Sequence, residues 1–228
     1  MKLLFLDTET TGLPLKRNTS IYDVDMWPHI IQLSFIVYDT KLNEITCKYD
    51  AVIQLPNYVD ISHESILIHG ITREQSLKTG VPIILALENL HNAVNICDII
   101  VGHNVSFDKQ ILIVEYIRLN IKSNLSGKPT FCTMRNYTKL CNIPRCSNNN
   151  SQHKNSNNIK YPKLSELHMH VFDKEPSNLH NSFNDILICL RCYMKLEHDF
   201  DVLLYSSTFF DEYYKHFDSA SLDLVTIY

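Results

Sequence analysis

Short unbroken apolar runs open this chain, and helix-spaced apolar positions dominate its later part. Lys2-Leu3-Leu4-Phe5-Leu6 reads as a short buried strand. Residues 30–38, from Ile30 to Tyr38, read as a second strand and residues 46–53 as a third. A helix is expected from about Pro82 to Ala93, with Leu85, Leu87 and Leu90 among its apolar positions. The apolar run Ile99-Ile100-Val101 is followed by Ile111, Leu112, Val114, Ile117 and Leu119 at helical spacing, a strand–loop–helix transition. A short strand near Thr130-Phe131-Cys132 precedes a helix that starts at Tyr161-Pro162-Lys163-Leu164 and carries Leu167, His168 and Val171. The last long helix runs from about Ser182 to Leu196. Strands first, with helices between the later ones, predict an α/β fold with a mixed sheet flanked by helices.

Three stretches fall outside that pattern. Cys146 through Asn158 is polar, Asn-rich and without periodicity, as expected of a loop. Residues 15–29 make a long link between the first two strands and hold Tyr22, Asp23, Asp25 and Trp27; they form either the rim of a groove or a structural insertion. From Asp199 to Tyr228 the chain is rich in aromatics, and Phe210, Tyr213, Tyr214 and Phe217 fall at helical spacing. A helix packed on the main body is expected there in preference to a partner-binding surface. The chain thus divides into a main domain, residues 1–198, and an extension, residues 199–228.

Composition narrows the class. With 228 residues, 45% of them hydrophobic, the chain can bury one sizeable core. A formal charge of −4 argues against a basic surface that grips long nucleic acid, and against tight processive binding without a partner. Seven cysteines without regular spacing suit a reducing, intracellular compartment, cytoplasmic or nuclear. Cys189 and Cys192 form a C-x-x-C, but inside an apolar helical run, so buried thiols are expected in preference to zinc. No signal peptide and no membrane-spanning run is apparent.

Candidate chemistry begins where the first strand ends. Asp7 and Glu9 are two apart, so on an extended backbone they point to one side. Like charges held at the end of a core strand are costly unless something positive lies between them, and a divalent cation with oxygen ligands is the usual answer. A solvated pair of carboxylates is the alternative. Val101-Gly102-His103-Asn104-Val105-Ser106-Phe107-Asp108 delivers Asp108 near the start of a helix, to serve either a site or the helix dipole. In His180-Asn181-Ser182-Phe183-Asn184-Asp185, His180 falls in the loop before a helix and Asp185 in its first turn. There Ser182-x-x-Asp185 doubles as a capping box.

Taken together, these segments resemble the DEDDh branch of the DEDD 3′–5′ exonucleases, the DnaQ-like and ribonuclease T family. The matching motifs are Phe5 through Leu13, Gly102 through Asp108, and His180 through Asp185, with Ile68-His69-Gly70-Ile71-Thr72 in support. The likeness spans roughly residues 2–196 and implies a ribonuclease H-like fold. It implies that Asp7, Glu9, Asp108 and Asp185 hold two ions of Mg²⁺ or Mn²⁺, and that His180 is the general base. Histidine suits that role because its ordinary pKa lies near neutrality. The products would be 5′-mononucleotides released from a free 3′ end.

The resemblance further implies that Thr10, Leu13, His69, Ile71 and Asn104 meet the terminal nucleotide. Leu13 and Ile71 would pack on its base, or else belong to ordinary core. The expected partner is nucleic acid with a free 3′ end, DNA before RNA, with a polymerase or other replication protein as a second candidate and no membrane. An idle exonuclease fold used for docking is the competing reading. Retention of every acidic position and the histidine favours the enzyme.

Overall fold

A computed structural model describes residues 1–145 and 159–217. The Asn-rich stretch 146–158 and the last part of the aromatic tail, residues 218–228, lie outside the described residues. Five strands form one sheet: β1 (Lys2–Thr10), β2 (Ile30–Asp39), β3 (Glu44–Val52), β4 (Ile99–Gly102) and β5 (Thr130–Cys132). Their order is β3-β2-β1-β4-β5. The β1–β2 and β2–β3 pairs are antiparallel, whereas β1–β4 and β4–β5 are parallel, so the sheet is mixed as expected.

Alternation along β1 sorts the core into two layers. Leu3 and Phe5 face one side, where they pack with Ile36, Tyr38 and the helices α7 (Leu164–Phe172), α8 (Ser182–His198) and α9 (Ser207–His216). Leu4 and Leu6 face the other, against Leu87 and Leu90 of α3 (Ile83–Ile96) and Ile111 and Leu112 of α4 (Val105–Arg118). The strand also runs four residues past the apolar stretch. Asp7 pairs with Ser34 and Glu9 with Gln32, so backbone pairing carries the acidic residues within the sheet.

Two short helices, α1 (His63–His69) and α2 (Arg73–Thr79), had no signal in the apolar pattern. Side chains of Ser62 and Thr72 cap them, and Gly70 ends α1 in the left-handed region at φ 74°. Two further short helices, α5 (Thr133–Asn136) and α6 (Thr138–Cys141), follow β5. In the extension, α9 buries Phe209, Tyr213 and Phe217, one turn apart, and leaves Phe210 39% exposed. Glu44 on β3 fastens its start by accepting hydrogen bonds from Ser206, Ser207 and Thr208. Cys189 and Cys192 are buried free thiols within α8. Among the described residues no helix is long and apolar enough to cross a membrane.

Candidate active site

The two-sided sheet decides which acidic residues meet. Asp7 and Glu9 continue the face that Leu3 and Phe5 begin, toward α8, and there they find Asp185. One oxygen from each of the three lies within 4.8 Å of the others. Thr8, of opposite parity, faces α4. Its backbone N–H and hydroxyl both donate to Asp108 Oδ1, at 3.1 and 2.8 Å. Asp108 is thus buried beside the cluster and held by the residue between the other two acids.

Electrostatics follow from this crowding. Burial, then repulsion from Asp108, Asp185 and Glu9, holds the Asp7 carboxyl well above the usual carboxylate range. Burial and the charges of Asp185 and Asp108 push Glu9 up to about 8. Asp108 and Asp185 are raised chiefly by burial, opposed by hydrogen bonds from Thr8 and from the His180 backbone respectively. Among the described residues, the charged groups acting on Asp7 and Glu9 are other carboxylates. An all-oxygen donor set short of positive charge fits a hard divalent cation.

The start of α8 is positioned by a polar network. Asn181 is the N-cap, its side chain accepting from Phe183 N and Asn184 N. The capping box expected of Ser182 and Asp185 is therefore not formed. Ser182 turns inward to Ser34, 2.5 Å between hydroxyl oxygens, and Asp185 accepts from His180 N instead. Gln32 accepts from Asn181 Nδ2 and Ser182 N and donates to Asp50, so β2 and β3 fix the loop that carries His180. His180 itself is exposed.

At the second motif β4 comes close to β1. A Cβ on Gly102 would lie 3.0 Å from the Leu6 carbonyl oxygen and 3.1 Å from Val105 Cβ. Asn104 turns the chain into α4 in the left-handed region, φ 69°. Between them the His103 ring hydrogen-bonds Thr133 Oγ1 and the Pro162 carbonyl, both at 3.0 Å, and burial lowers its pKa to about 4.

Beside Glu9 runs a groove of about 750 Å³, lined by Thr10, Leu13, Met26, Trp27, Ile68 and His69 among others. Leu13 is 79% exposed within it. Thr10 bonds the Gly12 carbonyl, and His69 Nδ1 accepts from Ile71 N at 3.0 Å. Ile71 itself is core: it is buried with Ile31, Leu55 and Val59, and its neighbour Ile68 takes the groove position. The link 15–29 forms one wall. Arg118 on α4 holds it by donating to the carbonyls of Val24, Trp27 and Pro28 while pairing with Glu115. Ile68 and Asn181 stand within the quoted motifs, but nothing in the sequence assigned them the groove position and the N-cap that they occupy.

Residues 4–193 match the RNase T family, described as exonuclease. The chain belongs to that exonuclease family. Its fold is similar to that of E. coli exonuclease I in complex with a dA16 oligonucleotide, with a TM-score of 0.61 at 18% identity over 87% of this chain and 41% of that one. The zinc-bound form of the E. coli exonuclease I complex with single-stranded DNA gives 0.60 at 18%, over 94% and 43%. The moderately thermophilic exonuclease I of Methylocaldum szegediense gives 0.59 at 17%, over 89% and 42%. This exonuclease chain therefore spans less than half the length of those structures. No curated protein matches the sequence.

Proposed function

We propose that this exonuclease removes 5′-mononucleotides from the 3′ end of single-stranded or frayed nucleic acid, DNA in preference to RNA, and that it depends on divalent metal. The observation that carries the reading is the convergence of Asp7, Glu9 and Asp185 oxygens within 4.8 Å, with Glu9 also lining the neighbouring groove.

Asp7, Glu9 and Asp185 would hold the cations, with Asp108 completing the acidic set from the α4 side. Two bound ions of Mg²⁺ or Mn²⁺ supply charge neutralisation for both the attacking and the leaving oxygen of a phosphodiester displacement. His180, exposed and joined to Asp185 through its backbone N–H, takes the proton from the attacking water. Leu13 and Ile68 offer apolar surface to a terminal base without reading its identity. Asn181 and Gln32 hold the loop from which the His180 backbone N–H bonds Asp185. Hydrolysis of a single strand with Mg²⁺, with EDTA, and by the Asp7→Asn and Asp185→Asn variants tests the reading. Loss of cleavage in all but the first is expected, and substantial cleavage in EDTA overturns the metal mechanism.

A further inference from the structure

The net charge of −4 conceals a strong division along the chain. From Tyr116 to Ser165 there is no acidic residue and there are nine basic ones, leaving twelve basic residues against all 25 acidic ones elsewhere. Some of the nine are consumed internally: Arg118 holds the groove wall, Lys128 bonds the Cys97 carbonyl and Lys160 pairs with Glu166. Arg135, Lys139 and Lys163 are exposed and form no ion pair among the described residues. Tyr161, two residues before Lys163, is 53% exposed.

His103 ties the segments that carry these residues to the second motif. Its ring touches Thr133 with one nitrogen and Pro162 with the other, so the starts of α5 and α7 converge on the loop of the second motif. Arg135 lies two residues beyond Thr133, and its guanidinium reaches Ser106 Oγ at 3.4 Å, two residues before Asp108. Tyr161 and Lys163 flank Pro162. In the sheet this segment follows β4 and β5, on one side of β1, whereas β2 flanks β1 on the other.

We infer that Arg135, Lys139, Tyr161 and Lys163 form the track for the sugar-phosphate backbone upstream of the terminal nucleotide. This rests on the exonuclease reading above and adds where the rest of the strand runs. Cations spaced along α5, α6 and the entry to α7 neutralise successive phosphates, and Tyr161 supplies one stacking face, the combination that binds single strands without sequence preference.

The test compares wild type with the triple variant Arg135→Gln, Lys139→Gln, Lys163→Gln, whose substitutions are all at exposed positions. Anisotropy with a labelled single strand of about 16 nucleotides in EDTA reads binding apart from catalysis. The triple variant should bind about tenfold or more weakly, and its log–log salt slope should fall by about 2, near 0.7 per lost phosphate contact. Tyr161→Ala should weaken binding and leave that slope unchanged. Mg²⁺-dependent turnover of a dinucleotide, too short to reach the track, should be the same in wild type and triple variant. Unchanged strand affinity and slope in the triple variant, or an equal loss of turnover on the dinucleotide, overturns the inference. If wild type cleaves nothing, the exonuclease reading fails, while the anisotropy comparison still decides the track.

Discussion

His180 donates its backbone N–H to Asp185 Oδ1 at 3.1 Å while its own backbone sits in the left-handed region at φ 70°. The two residues of the third motif are joined through the main chain, and the imidazole is left exposed to act elsewhere. A non-glycine residue in that conformation costs of order 1 kcal/mol, offset here by a bond to a carboxylate.

This arrangement separates the ring's role from the backbone's. His180→Ala should lower turnover by about two to four orders of magnitude, the range for loss of a general base. His180→Gly should lose as much activity while melting at the same or a higher temperature, since glycine adopts the turn without strain. Single-turnover rates and thermal melts check both. A near wild-type rate in the alanine variant removes His180 from the mechanism.

The crowded carboxylates predict a stability change with pH in metal-free protein. Glu9 is raised from 4.5 to about 8 by burial and by Asp185 and Asp108. A carboxyl raised on folding costs stability once the pH exceeds its unfolded value, in full above the folded one, and the cost disappears as the pH falls toward the unfolded value. Glu9→Gln should therefore stabilise the protein in EDTA by several kcal/mol near pH 8, and by about 1 kcal/mol or less near pH 5. Denaturant melts at the two pH values measure this. An equal gain at both, or a loss near pH 8, contradicts the repulsion.

Arg118 predicts a link between stability and substrate affinity. It satisfies the carbonyls of Val24, Trp27 and Pro28 and pairs with buried Glu115. Arg118→Met leaves those groups unpaired and should cost about 2–4 kcal/mol. Released from its anchor, the 15–29 wall should raise KM on a short strand more than it lowers kcat. Steady-state kinetics check this, and an unchanged KM shows that the wall does not meet substrate.

What could be read in advance follows physical lines. The Leu3–Leu6 and Ile30–Tyr38 runs were legible because burial on both faces writes itself as a dense apolar sequence, unbroken in the first and interrupted only by Gln32 and Ser34 in the second. The extended backbone through Asp7 and Glu9 followed from their spacing, but their pairing with Ser34 and Gln32 did not, since those partners lie on a strand distant in sequence. Helix α1 has no buried residue, so it leaves no apolar period and only the cap at Ser62 and Gly70 announce it. Ile71 was ambiguous because core and base-stacking both ask for an apolar side chain; only burial with Ile31 and Leu55 distinguishes them. At the last motif Asn181 and Ser182 are both good caps, and the partner that draws Ser182 inward, Ser34, is distant in sequence.

Polarity of attack is the central claim, and matched single strands labelled at the 3′ or the 5′ end test it most directly. With Mg²⁺, the 3′ label should appear at once as a mononucleotide, while the 5′ label passes through a ladder shortened one residue at a time. A terminal 3′ phosphate should slow both strongly, and a 5′ block should not. Immediate release of the 5′ label as mononucleotide, or efficient cutting of a circular single strand, contradicts the account.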